Sequence, residues 1–223
     1  MELNYNKTRE YWENIFEKQQ LYDPFNILPY AEIEEAIKWL CINSKLILDF
    51  GCGTGRVLNR CFDYGIDDIY GIDLSSKAIK LARQIMDKHN LQDKSNYKCG
   101  GLRSLQKIND MQFSGAILFN IIDNLKPEDG IKVIEEIHRI LKPDGKVILK
   151  LNPYFSTQEI EEDKDIKGIS KDFYQESSGL FLWNISNELL KEVITPYFNI
   201  LKHKEIKFKE YGMTNRLFYL KKI

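Results

Sequence analysis

Apolar and polar positions along the chain fall into two alternating rhythms. Near the start, "TREYWENIFEKQQLYDPF" carries Tyr11, Ile15 and Phe16 at helical spacing and breaks at Pro24. "AEIEEAIKWLC" follows as a second predicted helix, with Ile33, Ile37 and Leu40 on one stripe. From there the pattern changes to short apolar runs of strand length: "LILDF", "DIYGI", "SNYKC", "GAILFN" and "KVILKL". Helical stretches separate most of them, notably "SSKAIKLARQIMDKHN" and "PEDGIKVIEEIHRILK". In the latter, Val133, Ile134, Ile137, Ile140 and Leu141 share a face, and "KPDG" stops the helix. The lysines of "KVILKL" read as marking where that strand emerges at the two edges of the sheet.

Strands alternating with helices imply right-handed βαβ units and an α/β fold, a Rossmann-like, doubly wound, mostly parallel sheet. Residues 152–185 have no clear period and read as an insertion or lid. "SNELLKEVITPYF" then predicts a helix capped by Ser186 or Asn187, with Pro196 past its end. "NILKHKEIKFKEY" and "TNRLFYLKKI" predict two strands joined at Gly212, a C-terminal antiparallel β-hairpin. The lysines of the first of these protect an edge strand from unwanted pairing. No repeat or linker interrupts the chain, so residues 1–223 are expected to form a single domain, with 1–42 as a helical N-terminal extension.

Composition narrows the function classes. The chain has 223 residues, 43% hydrophobic and 29% charged, which suits a packed soluble domain. A formal net charge of -1 provides no global basic field for nucleic acid or anionic lipid, so neither is an expected partner. Cys41, Cys52, Cys61 and Cys99 show no C-x-x-C spacing, arguing against zinc and against a disulfide framework. The N-terminal segment has no apolar h-region and no run is long enough to span a bilayer. A reducing, cytoplasmic location is the simplest expectation.

The chemistry concentrates in "LILDFGCGTGRVL". Gly51, Gly53 and Gly55 follow the first predicted strand, a loop that lets backbone approach a ligand closely. A dinucleotide fingerprint counted from Gly51 needs its third glycine at 56, and that residue is Arg56. No Gly-Lys-Ser/Thr follows, so a P-loop fails as well. Asp49 at the strand end sits poorly with pyrophosphate and well with a ligand carrying an ammonium group. Asp73 ends the next strand, 18 residues past Gly55, where an acid accepts hydrogen bonds from both ribose hydroxyls. Leu74 is placed to cover a base, and Ser75 to cap the next helix.

"LDFGCGTGRVL", "GIDLS", "AILFN" and "RILKPDGKVILKL", in this order, resemble the class I S-adenosylmethionine-dependent methyltransferases from Leu46 to Asn152. The resemblance implies a seven-stranded sheet and S-adenosyl-L-methionine as cofactor. It implies that Asp49, Gly51, Gly53 and Gly55 line the methionine moiety and that Asp73 holds the ribose. Leu74 then borders the adenine, and Asn120 lies beside the transferring methyl. Two positions depart from the family pattern. Gly101 replaces an acid that often binds the adenine amino group, so that contact falls to backbone between Gly100 and Leu102. Ser114 replaces an Asp at the entry to the fourth strand, remote from the ligand end.

Other features have plainer readings. Tyr11 and Trp12 are expected to pack their helix onto the sheet, although aromatic faces also suit a sulfonium cation. Arg9 is expected to be a solvated helix residue and His138 a helix-surface residue. "LNPYF" resembles an amino-methylating signature only in part; Asn152 and Tyr154 are candidates to border the acceptor. The five acids from Glu159 to Asp165 read as a solvated face, or as an acidic lid over a cationic acceptor. No catalytic base stands out and no metal site is expected. The reading is in-line methyl transfer to a small-molecule acceptor. The alternatives are an RNA or protein acceptor, a catalytically silent nucleoside-binding module and, weakest, a dehydrogenase.

Overall fold

The computed structural model describes residues 4–208, 210 and 212–223. Two helices lead the chain, α1 (Asn6–Glu17) and α2 (Ala31–Cys41). Five parallel strands follow: β1 (Leu46–Phe50), β2 (Asp68–Asp73), β3 (Ser95–Cys99), β4 (Phe113–Phe119) and β5 (Leu141–Leu151). Between them run α3 (Ser76–Lys88), the single turn α4 (Leu102–Leu105) and α5 (Pro127–Ile140). A short helix α6 (Thr157–Glu162) precedes β6 (Ile166–Ser170), β7 (Phe173–Glu176) and β8 (Phe181–Trp183). Helix α7 (Asn187–Ile194) and strands β9 (Phe198–Phe208) and β10 (Met213–Lys222) complete the described chain.

The main sheet has seven strands in the order β3-β2-β1-β4-β5-β10-β9, and β6-β7-β8 form a separate antiparallel sheet. Strand order reverses between β1 and β4, opening a crevice at their carboxyl ends, where α/β sheets place ligands. β10 enters antiparallel between β5 and β9, pairing Leu217 with Lys150 and with Lys204. The sheet is Rossmann-like, as its alternating pattern implies.

Alternation along each strand distributes the core. Ile47 joins α2 and α3 on one face; Leu48 and Phe50 join α5 and α7 on the other. β1 is buried on both faces, which is why it reads as a continuous apolar run. Ser75 caps α3 by accepting from the Ala78 N–H at 3.1 Å, and Ser186 caps α7 by accepting from Leu189 at 3.1 Å.

After the glycine loop the chain forms a 3-10 turn, Leu58–Tyr64. There Asn59 and Arg60 are buried, Asn59 accepting from Tyr97 and Arg60 bonded to Glu34 and to the Phe25 carbonyl, which holds the turn inward. Helix α5 ends at Ile140, and "KPDG" belongs to the start of β5, because buried Leu141 already pairs with Phe113. Lys150 does not emerge at a sheet edge: β10 covers β5, and Lys150 is 8% exposed. Within 152–185 the chain is regular, since β6-β7-β8 pair with the Phe173, Phe181 and Trp183 side chains turned into the core. The strand predicted through Tyr211 is β9 as far as Phe208; Tyr211 lies outside the described residues.

Candidate functional site

The crevice is built on the loop after β1. Gly51, Gly53 and Gly55 all adopt positive φ, at 82°, 53° and 82°. The loop hangs on the end of β2: Gly51 and Cys52 N–H donate to the Ile72 carbonyl at 2.8 and 3.0 Å, and Gly53 N–H donates to Asp73 Oδ2 at 2.8 Å. A Cβ on Gly53 would meet the Phe16 ring at 3.2 Å, and one on Gly55 would lie 2.1 Å from the Tyr97 hydroxyl. Packing against Phe16 and Tyr97 therefore requires glycine at Gly53 and Gly55.

The two acids separate in space. Asp73 rims the cavity, its carboxylate accepting from Gly53 and, at 2.8 Å, from Ser75 N–H. Burial raises its pKa, and the two backbone hydrogen bonds oppose that rise. Asp49 lies behind the loop, 3% exposed, and its Oδ1 has no hydrogen-bond partner among the described residues. Burial pushes its carboxyl well up, and the charge of Asp73 adds to the effect.

The cavity, about 420 Å³, receives Gly51, Gly53, Asp73, Leu74, Leu102 and Asn120 of the sequence candidates. Asp49 and Gly55 are not in its lining. At the Gly100–Leu102 edge the Gly100 N–H is committed to the Asp73 carbonyl at 2.8 Å, which leaves the amides of Gly101 and Leu102 for a ligand. Asn152 and Phe155 line the far end, whereas Tyr154 is 49% exposed and outside the lining. Trp12 lines the cavity while Tyr11 packs edge-on against it, so only one of the pair faces the site. His138 does not line it; half-buried, it packs on Tyr197 and Phe198.

Helix α1 forms one wall through Thr8, Trp12 and Phe16, and three tethers hold it there. Tyr5 donates to Asp129 at 2.6 Å and accepts from Lys126 N–H at 3.1 Å; Thr8 donates to the Gly179 carbonyl at 3.3 Å. Glu13 accepts from Ser76 and Lys77 N–H at 2.8 and 3.1 Å, and from the Ser75 and Ser76 hydroxyls. A side chain of one helix thus satisfies the orphan amides of another. Leu180 and Leu182 roof the cavity from the small sheet. No sequence signal marks Glu13, which falls on the polar side of its helix.

Sequence reasoning also missed a polar floor. Asn120, at φ +52°, receives a hydrogen bond from Lys150 Nζ on its side-chain oxygen and donates through Nδ2 to Asn152 Oδ1. Buried Asp123 and Arg216 hold the same corner, accepting from the Asn152 N–H at 2.6 Å and donating to the Asn152 carbonyl at 3.1 Å. The one signal available was the interruption of an apolar strand by Lys150. Among the described residues no group of three or more His, Cys, Asp or Glu is placed to hold a metal, and no helix is long and apolar enough to cross a membrane.

Comparison with known proteins agrees with this geometry. A family model described as a methyltransferase domain matches residues 47–145. The chain is 24% identical over 164 residues to the tRNA N(3)-methylcytidine methyltransferase trm140 of Schizosaccharomyces pombe, covering 71% of this chain and 53% of that protein. It is 31% identical over 94 residues to the EEF1A lysine methyltransferase 2 of Mus musculus, covering 38% of each. The chain thus spans about half the length of the first relative and less of the second. The fold matches that of the Burkholderia thailandensis 1,6-didemethyltoxoflavin-N1-methyltransferase, crystallised with 1,6-didemethyltoxoflavin and S-adenosylhomocysteine. That match has a TM-score of 0.65 and 15% identity, covering 87% of this chain and 79% of that one. Over residues 47–145 the chain is thus similar to methyltransferase domains, and its sheet has the fold of a methyltransferase crystallised with S-adenosylhomocysteine.

Proposed function

We propose that the cavity binds S-adenosyl-L-methionine and that the protein transfers its methyl group to a small-molecule acceptor. The observation carrying this reading is the junction of the left-handed glycine loop with Asp73 at the point where strand order reverses. The residues present fit such a ligand. Asp73 still has free lone pairs for two ribose hydroxyls after accepting from Gly53 and Ser75. Leu74 and Leu102 offer apolar edges to the adenine, and the side-chain-free loop at Gly51 and Gly53 leaves room for the amino-acid end. Asp49, buried behind the loop with no partner on Oδ1 among the described residues, would gain its charge as that ammonium group arrives, because a nearby cation favours the ionised carboxylate.

When bound, the sulfonium supplies an electrophilic methyl and a good leaving group. The protein's task is then alignment and exclusion of water. Trp12 and Phe16 close the cavity on one side, Leu180 and Leu182 on another, and Asn120 lies on the floor between the two ends. The lining contains no Lys, Arg or His among the described residues, so it offers neither a histidine base nor a cation for phosphate. The lack of a cation favours a small acceptor over a nucleic acid strand bound inside the cavity.

Isothermal titration with S-adenosylhomocysteine and with NAD tests the reading. The first should bind and the second should not. Asp73→Ala should weaken S-adenosylhomocysteine binding about 10- to 100-fold, the value of one or two hydrogen bonds to a charged group. NAD binding in place of the homocysteine ligand, or unchanged affinity in the variant, would refute it.

A further inference from the structure

Three charged side chains beneath the cavity have no part in the reading above. Asp123, Lys150 and Arg216 are 2%, 8% and 7% exposed, and charges are not buried without a compensating role. Arg216 is satisfied by the carbonyls of Asn152 and Ile185 and by Asn187 Oδ1. Asp123 accepts the Asn152 N–H through Oδ2. Lys150 is different: its ammonium sits 5.5 Å from the centres of the Phe119 and Phe208 rings, and its hydrogen bond goes to the Asn120 side chain.

An ammonium group only donates, so it dictates which end of a carboxamide faces it. Asn120 must turn Oδ1 to Lys150, which leaves Nδ2 as the atom facing Asn152. Because that atom also only donates, Asn152 must answer with its own Oδ1. Its remaining NH2 has no partner among the described residues, and Asn152 lines the cavity. Each carboxamide alone is free to turn over; the lysine removes that freedom from both.

We propose that Lys150 is a positioning residue that, through Asn120 and Asn152, fixes a hydrogen-bond donor at the acceptor end of the cavity. The group the acceptor presents there is therefore a hydrogen-bond acceptor, such as a carbonyl oxygen, an ether or an unprotonated ring nitrogen. Burial pushes the Lys150 ammonium down to about 8 and nearby Asp123 opposes the shift, so the lysine remains charged at neutral pH. This inference rests on the methyltransferase reading for the identity of that end of the cavity.

Pyridine and pyrrole test it, since rings of similar size offer only an acceptor and only a donor respectively. Each is titrated by ligand-observed NMR at pH 7 into protein saturated with S-adenosylhomocysteine. Wild type should favour pyridine at least about five-fold, the effect of one net hydrogen bond. Lys150→Met should bring the ratio close to one while S-adenosylhomocysteine still binds. Asn152→Asp, which replaces the donor by an oxygen, should invert it and decides the matter if Lys150→Met does not fold. Equal or undetectable binding of both rings to wild type, a preference for pyrrole, or a preference unchanged in Lys150→Met overturns the proposal. Failure of wild type to bind S-adenosylhomocysteine overturns the methyl-donor reading instead.

Discussion

Replacing Asp49 by asparagine should stabilise the ligand-free protein at neutral pH. The side chain is 3% exposed, its Oδ1 has no partner among the described residues, and a second carboxylate, Asp73, raises its electrostatic cost further. An unsatisfied buried group costs more charged than neutral, and asparagine keeps the shape without the charge. The expected gain grows by about 1.4 kcal/mol for each pH unit between the unfolded and folded pKa values, at roughly 2–4 °C in melting temperature per kcal/mol for a chain of this size. The pH dependence carries the physical content. Burial raises the folded pKa of Asp49, so the folded protein keeps this proton to higher pH than the unfolded chain does. Stability of the wild type then falls as pH rises from the unfolded value, about 4, towards the folded one. The advantage of Asp49→Asn should be smallest near pH 4–5 and grow towards pH 8. Urea unfolding followed by tryptophan fluorescence across that range measures it. A variant less stable than wild type throughout, or an offset independent of pH, would refute the reasoning. The stabilisation that S-adenosylhomocysteine confers should shrink in the same variant, because the acid is kept for the bound state.

Other outcomes follow from the same contacts. Glu13→Ala removes the acceptor for the Ser76 and Lys77 amides and should cost about 1 kcal/mol, with faster amide exchange in α1 and faster release of S-adenosylhomocysteine. Burial alone raises the Glu13 carboxyl, but the hydrogen bonds from Ser76, Lys77 and Ser75 outweigh it and leave the pKa lowered. The tether is therefore fully present above the unfolded pKa and lost as pH falls through the folded one, so exchange in α1 should accelerate on acidification. Gly55→Ala forces a side chain into a left-handed backbone and against the Tyr97 hydroxyl, and should cost at least about 2 kcal/mol in denaturant unfolding. Ser186→Ala removes the cap of α7 and should cost about 1 kcal/mol without changing S-adenosylhomocysteine affinity, which makes it a control for the Glu13 variant.

The fold was largely legible in the chain because its signals are local. The strand "LILDF" is buried on both faces and reads as apolar without interruption, and Ser75 and Ser186 cap the helices they precede. Three glycines spaced two apart, with Asp73 at the following strand end, mark the crevice from sequence neighbours alone. What only the tertiary structure decided depends on contacts between distant segments. Lys150 looked like a strand end until β10 covered it, because burial by a partner strand leaves no mark on period or composition. Glu13 carries no mark in the sequence, yet folding of α1 across the crevice brings it to amides more than sixty positions away. Asp49 and Gly55 share one motif with Gly51 and Gly53, but the loop's left-handed turns send two of the four behind the cavity wall. Spacing determines which residues can meet a ligand; the path of the backbone determines which of them do.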